Sequence, residues 1–65
     1  MRVLLRNPRR EIEVEGSRRV GALLTELGLA RESHLVIRNG DLVPGDALLD
    51  ADDTVEIRPV ISGGA

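Results

Sequence analysis

One stretch of this 65-residue chain has the periodicity of an amphipathic helix, and the fold has to be arranged around it. Its apolar residues are spaced i, i+3, i+4 and i+7 and would form one stripe: Val20, Leu23, Leu24 and Leu27. We expect Ser17 to cap the start of the helix, with Arg18 and Arg19 in a solvated first turn. At its end, Gly28 suits the left-handed position, and Leu29 can fold back onto the last turn.

On the amino-terminal side of the helix, apolar and polar residues alternate, which is the pattern of strands with one buried face. Residues 1–6 alternate in this way, and residues 11–15 do so with glutamates on the outer side. Asn7 and Pro8 between them are turn-forming residues. The segment therefore predicts an antiparallel hairpin.

On the carboxyl-terminal side, the sequence predicts a second hairpin and one further strand. Asn39-Gly40 is typical of a two-residue turn between residues 34–38 and 41–43. Residues 54–60 alternate again, with Val55 and Ile57 on the inner side. Between these strands, Leu48 and Leu49 are both expected to fill the core.

This order of elements predicts an α+β domain in which one main helix covers one face of a mixed sheet of about five strands. If the last strand lies beside the first, the two run parallel and the helix provides the crossover, as in the β-grasp, or ubiquitin-like, fold. The helical stripe should then pack on residues of the first, second and last strands: Val3, Leu5, Ile12, Val14, Val55 and Ile57. Close packing would also account for Gly21 in the helix, where glycine costs about 1 kcal/mol relative to alanine.

Composition excludes several classes of function. The chain has no cysteine, so it has neither disulfides nor thiolate metal sites, and the core must be aliphatic because Phe, Trp and Tyr are also absent. The net charge is −2, the arginines are scattered along the chain and no aromatic ring is available for stacking on bases, which argues against direct nucleic-acid binding. No apolar run is long enough to span a membrane and no signal peptide is visible, so we expect a cytoplasmic protein.

No group of residues forms a credible catalytic or metal site in the sequence. The main candidate nucleophiles are hydroxyl groups that would share a single histidine, His34: Ser17, Ser33, Ser62, Thr25 and Thr54. His34 is interpreted as a surface residue at a strand edge. The acidic group Asp46, Asp50, Asp52 and Asp53 lacks the spacing of a calcium loop and is read either as a solvated loop or as a docking surface for a basic partner.

The chain ends in Ile61-Ser62-Gly63-Gly64-Ala65, directly after the last predicted strand. A carboxyl group becomes an acyl donor only after activation, and an activating enzyme has to admit it through a narrow channel. Glycine has no Cβ and accepts any backbone angle, so Gly63 and Gly64 suit such a channel, with Ile61 as an anchor at its mouth. The domain is therefore expected to span residues 1–61, followed by a flexible diglycine tail at 62–65.

The whole chain resembles the ThiS/MoaD-type sulfur carriers, the small ubiquitin-like proteins of the thiamin, molybdopterin and tRNA-thiolation pathways. The resemblance covers residues 1–64 and rests on the order of several motifs: the opening MRVLLR, the ALLTELGL helix, the VIRNGDLVP hairpin, the DADDTVEI run and the ending VISGG. It implies a carrier, not an enzyme, that holds no cofactor of its own.

By the same resemblance, the carboxyl group of Gly64 is adenylated with ATP by a partner related to ubiquitin-activating enzymes. A cysteine desulfurase or a rhodanese-type protein then supplies sulfur, and the resulting thiocarboxylate donates it to a downstream sulfur-accepting enzyme. Ile61, Ser62 and Gly63 would be recognised within the tail.

Ala65 departs from the family, whose members usually end on the second glycine. It is either removed, for which a JAMM-type metalloprotease is a candidate, or tolerated, or a remnant of cloning. Two other functions stay open at this point. The chain could be a ubiquitin-like modifier joined to proteins through Gly64, or a plain β-grasp interaction domain with an inert tail.

Overall fold

A computed structural model describes residues 1–6 and 9–60 of the chain. In chain order, the elements are β1 (Arg2–Leu5), β2 (Arg10–Glu13), β3 (Arg18–Arg19), α1 (Val20–Glu26), a 3₁₀ turn (Arg31–Ser33), β4 (His34–Arg38), β5 (Asp41–Val43), β6 (Leu48–Leu49) and β7 (Thr54–Pro59).

Five of the strands form one mixed sheet in the order β2-β1-β7-β4-β5, and α1 covers one face of it. The first and last strands are parallel neighbours, with Val3 beside Val55 and Leu5 beside Ile57. Strand β4 lies antiparallel on the other side of β7, so β7 occupies the centre of the sheet. The β-grasp arrangement expected from the sequence is confirmed.

The core lies between α1 and the inner face of the sheet and is wholly aliphatic apart from Met1. Its buried members are Met1, Val3, Val20, Leu23, Leu24, Val36, Leu49, Val55 and Ile57. Leu5, Ile12, Val14 and Leu27 pack against this cluster but are only partly buried. The predicted contact between the helical stripe and the first, second and last strands is therefore confirmed.

The start of the helix differs from the prediction that Ser17 caps it. The helix begins at Val20, no side chain caps it, and its first amides are bonded elsewhere. The Val20 N–H donates to the Ala47 carbonyl at 3.0 Å, and the Gly21 N–H donates to the Gly45 carbonyl at 2.9 Å. Carbonyl groups of the loop between β5 and β6 thus accept the hydrogen bonds that a capping side chain would have accepted.

Arg18 and Arg19 are not a helical turn but the short strand β3, which pairs antiparallel with β6. This small second sheet also corrects the prediction for residues 48 and 49, because neighbours on a strand point to opposite faces. Leu49 is fully buried, whereas Leu48 is 49% exposed.

The end of the helix is as predicted. Gly28 has φ +74°, the left-handed conformation. The Leu29 N–H donates to the Leu24 carbonyl at 2.8 Å, and the Gly28 N–H donates to the Thr25 carbonyl at 3.0 Å. These two bonds form a Schellman motif, and Leu29 packs on the core beside it.

The space beside Gly21 is occupied by an arginine and not by the sheet. A Cβ on Gly21 would lie 3.3 Å from Cζ of Arg31, and one on Gly45 would lie 2.5 Å from Nη2 of the same side chain. The guanidinium of Arg31 therefore crosses the seam between α1 and the loop after β5. The close approach of helix to sheet that we expected at Gly21 is replaced by this contact.

Candidate functional site at the end of the central strand

The strand that leads to the carboxyl terminus is held on both sides until shortly before that terminus. On one side β7 pairs with β1 as far as Ile57, and on the other it pairs with β4 as far as Pro59, opposite His34. The Val60 N–H then donates to the Ser33 carbonyl at 2.8 Å. The root of the tail is thus fixed in the middle of one end of the sheet.

The residues predicted to carry the chemistry lie outside the described part of the chain. These are Ile61, Ser62, Gly63, Gly64 and Ala65, and the expected flexibility of residues 62–65 belongs with them. A chain advances by at most about 3.6 Å per residue, so the Cα of Gly64 lies within about 14 Å of that of Val60.

Two arginines share one carboxylate beside the root of the tail. Nε of Arg58 lies 2.8 Å from Oε2 of Glu56, and Nε of Arg6 lies 2.9 Å from the same oxygen. The hydrogen bonds from Arg58 and Arg6 lower the pKa of the Glu56 carboxyl below its usual value. Glu56 therefore stays ionised and orders both guanidinium groups on the outer face of the sheet.

Two more arginines, Arg9 and Arg10, lie at the same end. Strand β2 starts at Arg10, which is paired with Leu5, the last residue of β1. Arg9 and Arg10 are exposed, and together with Arg6 and Glu56 they line an open cleft of about 350 Å³. Within residues 1–6 and 9–60, neither of them forms an ion pair.

His34 is also at this end, and it has a structural partner. Its Nδ1 lies 2.8 Å from the Ala30 carbonyl, which can only accept, so Nδ1 carries the proton. His34 lines a cleft of about 280 Å³ whose other lining residues are mainly apolar, among them Leu27, Ile57 and Pro59. The interpretation of His34 as a surface residue at a strand edge is met in part, because His34 begins β4 but is half-buried and β4 lies between β7 and β5.

The candidate hydroxyl nucleophiles are not gathered around His34. Ser17 precedes β3, Thr25 lies within α1, and Thr54 starts β7 at the opposite end from Pro59. Ser33 precedes His34 in the chain, and Ser62 lies outside the described residues. In the described part of the chain, no three His, Asp or Glu residues are placed to hold a metal ion.

Among the acidic residues at 46–53, Asp53 has a structural role that the sequence interpretation missed. The Asp53 carboxylate accepts the Asp50 N–H at 2.8 Å and the Asn39 Nδ2–H at 3.1 Å. The backbone bond from Asp50 is the main reason that the pKa of Asp53 is lowered. Its position three residues after Asp50 and just before a strand was the available signal. Asp53 closes a turn and is not simply part of a solvated loop.

No helix in the described ranges is both long and apolar enough to cross a bilayer.

The model of the ThiS family matches residues 2–64. The sulfur carrier protein TtuB of Thermus thermophilus is similar to this chain, with 42% identity over 65 residues, which covers 98% of this chain and 100% of that protein. The match includes the central strand and both glycines and stops before Ala65. By these matches and by its β-grasp fold, the chain belongs to the ThiS family.

Proposed function

We propose that this protein is a sulfur carrier that is activated at the carboxyl group of Gly64. The observation that carries the proposal is the position of Gly63 and Gly64, four and five residues beyond Pro59, where the central strand β7 ends. The name of the relative TtuB and the extent of the family match, which ends at Gly64, support it.

The activation step uses ATP bound by a partner, an adenylyltransferase related to ubiquitin-activating enzymes. A carboxylate oxygen of Gly64 attacks the α-phosphorus of ATP, and pyrophosphate leaves. The product is an acyl-adenylate with AMP as its leaving group. The outer sulfur of a persulfide, carried by a cysteine desulfurase or a rhodanese-type protein, then displaces AMP and forms an acyl disulfide. A second thiol of the partner attacks the partner's sulfur in that bond, which forms a disulfide on the partner and releases the thiocarboxylate. A downstream enzyme accepts the sulfur, and the carboxylate is restored for another cycle.

The carrier itself contributes a slender tail and no catalytic group. Gly63 and Gly64 have no side chain to obstruct a narrow channel, while Ile61 and Ser62 provide the contacts by which a partner recognises the tail. The sequence contains no lysine, so the activated carbonyl cannot be captured by an ε-amine of its own chain.

The second candidate is a protein modifier joined to lysines through Gly64, because that function needs the same diglycine end and the same activation. Mass spectrometry of the protein recovered from cells separates the two. A carrier shows the mass gain expected when sulfur replaces one carboxyl oxygen, whereas a modifier shows conjugates of higher mass.

The test of activation is ATP–pyrophosphate exchange with the adenylyltransferase of the same organism. Chains ending at Gly64 and at Ala65 are compared, because Ala65 moves the terminal carboxylate by about 3.5 Å. A displacement of about 1 Å at a reacting centre can cost about 100-fold in rate. We therefore expect exchange with the chain ending at Gly64 and little with the full chain, which a JAMM-type protease would first have to trim.

Equal exchange by both chains would show that Ala65 is tolerated and would remove the trimming step while leaving the carrier function in place. The control is Gly64→Val in the shorter chain, which should abolish exchange without changing thermal unfolding. Absence of exchange by both chains would contradict the carrier function itself.

A further inference from the structure

The four arginines around the root of the tail come from separate parts of the sequence and meet through the register of the sheet. Because Leu5 is paired with Ile57 on one side and with Arg10 on the other, Arg6, Arg10 and Arg58 lie at the same end of the sheet. Arg9 joins them in the cleft that it shares with Arg6. We refer to Arg6, Arg9, Arg10 and Arg58 as the arginine collar.

The collar is positive although the chain as a whole is acidic. Two carboxylates line its cleft, and both are paired: Glu56 with Arg6 and Arg58 of the collar, and Glu11 with Arg2. The acidic residues of the 50–53 loop lie at the start of β7, the opposite end of the same strand. The chain has 11 acidic and 9 basic residues, so the collar does not arise from an overall excess of arginine. It arises because four of the arginines lie at one end of the sheet.

With the tail extended, the arginines of the collar do not reach Gly64. An extended tail places that residue up to about 14 Å beyond Val60, whereas an arginine side chain reaches roughly 7 Å from its Cα. The collar is limited to the zone around the first tail residues. A protein that encloses the tail as far as Gly64 must bring the rim of its channel into that zone.

We propose that the arginine collar docks on an acidic rim around the tail channel of the activating partner. The inference rests on the proposed function, because that function requires a partner to enclose the tail. A protein surface fits better than a nucleic acid, since the chain has no aromatic residue for stacking on bases and Glu56 lies among the arginines. Complementary charge of this kind speeds encounter and fixes orientation.

The experiment compares two pairs of adjacent arginines in chains that end at Gly64. Arg9→Gln with Arg10→Gln removes two charges from the collar. Arg18→Gln with Arg19→Gln removes the same charge from β3, which is not part of the collar. Exchange kinetics are measured with the adenylyltransferase at two salt concentrations, and thermal unfolding checks that both variants are folded.

We expect the collar variant to raise KM for the carrier about tenfold at low salt, with kcat within about twofold of the unaltered chain. The difference in KM should shrink at high salt, because exposed charges are then screened. The β3 variant should stay within about twofold in both constants if it remains folded.

Equal KM values for the collar variant and the unaltered chain, in the presence of active exchange, would overturn the inference and leave the proposed function intact. A fall in kcat alone would also overturn it, because it would place the arginines in the reaction. Retention of a homopolymer RNA that is lost with the collar charges, while KM is unchanged, would assign the collar to nucleic acid instead. Absence of exchange by the unaltered chain would remove the proposed function and this inference together.

Discussion

Asn39 and Thr54 are bonded to each other in both directions across the end of the sheet. The Asn39 N–H donates to the Thr54 carbonyl at 2.9 Å, and the Thr54 N–H donates to Oδ1 of the Asn39 side chain at 3.0 Å. Asn39 and Gly40 have φ of +48° and +90°, which identifies the turn between β4 and β5 as type I′. One residue thus shapes a turn and also fixes the start of the central strand.

The first prediction concerns this double role of Asn39. Asn39→Ala loses the side-chain bonds to Thr54 and Asp53 and puts a less tolerant residue in the left-handed region. Because these bonds are exposed, we expect a loss of about 1–2 kcal/mol in the free energy of unfolding. Asn39→Gly keeps the backbone conformation accessible and should lose less. Urea denaturation of the two variants measures the difference, and an equal loss would show that the conformation contributes nothing.

The second prediction is a pH dependence that depends on Asp53. Its pKa is lowered in the folded state by the Asp50 N–H, by Asn39 and by Arg38, relative to the ordinary value of 3.8. The stabilisation that follows is present above pH 3.8 and is lost as the pH falls through the lower, folded-state pKa.

Unfolding by urea is therefore compared for the unaltered chain and Asp53→Asn at a series of pH values. The stability advantage of the unaltered chain should be constant near neutral pH and shrink below pH 3.8. Asp52→Asn removes a charge from the same loop but keeps the bonds to Asp50 and Asn39, so it serves as the control. An advantage that is unchanged down to the acid limit would contradict the assignment.

The third prediction separates two leucines of opposite exposure. Leu24 is 2% exposed in the centre of the core, and Leu24→Ala should cost about 2–5 kcal/mol. Leu48 is half exposed on β6, and Leu48→Ala should stay within about 0.5 kcal/mol. Thermal and chemical denaturation measure both. A loss below half a kcal/mol for Leu24→Ala would place the residue outside the core and shift the helical register.

The fourth prediction is that two glycine-to-alanine substitutions change stability in opposite directions. Gly21→Ala should stabilise the protein by about 0.5 kcal/mol, because Gly21 is helical and the nearest atoms belong to the exposed end of Arg31, which can move. Gly28→Ala meets no atom within 4 Å but has to adopt φ +74°, so it should cost about 1–2 kcal/mol. If Gly21→Ala is destabilising, Arg31 is held rigidly across the seam, and adding Arg31→Ala should restore stability.

Much of the fold follows from the sequence because it is specified locally. The helical stripe, the alternation in the strands, Gly28 and Asn39-Gly40 each encode their own element. Ser17 was wrong as a cap because carbonyls of residues 45 and 47 already bind the first helical amides. The sequence around the helix start does not predict a hydrogen-bond partner so far away in the chain. The β3–β6 pair was missed for another reason: each strand has only two residues, which are too few to show the alternation of a strand.

The candidate site also has one part that the sequence predicts and one part that it does not. The diglycine ending is contiguous and is visible in the sequence, although Gly63 and Gly64 lie outside the described residues. The arginine collar is not visible there, because its members are separated by up to 52 positions, from Arg6 to Arg58. The parallel register of β1 and β7 brings Arg6 close to Arg58, and the antiparallel register of β1 and β2 adds Arg10. The first of these registers places Val3 beside Val55, and both are fully buried in the core.

The central position of β7 also has a mechanical consequence. A partner that grips the chain beyond Val60 applies tension along the axis of a strand that is bonded to β1 on one side and β4 on the other. Tension in this direction would slide β7 past both neighbours, which strains all the hydrogen bonds of the two ladders at once. The bonds therefore do not break one at a time from one end. We therefore expect the domain to stay folded when a partner pulls on its carboxyl-terminal end.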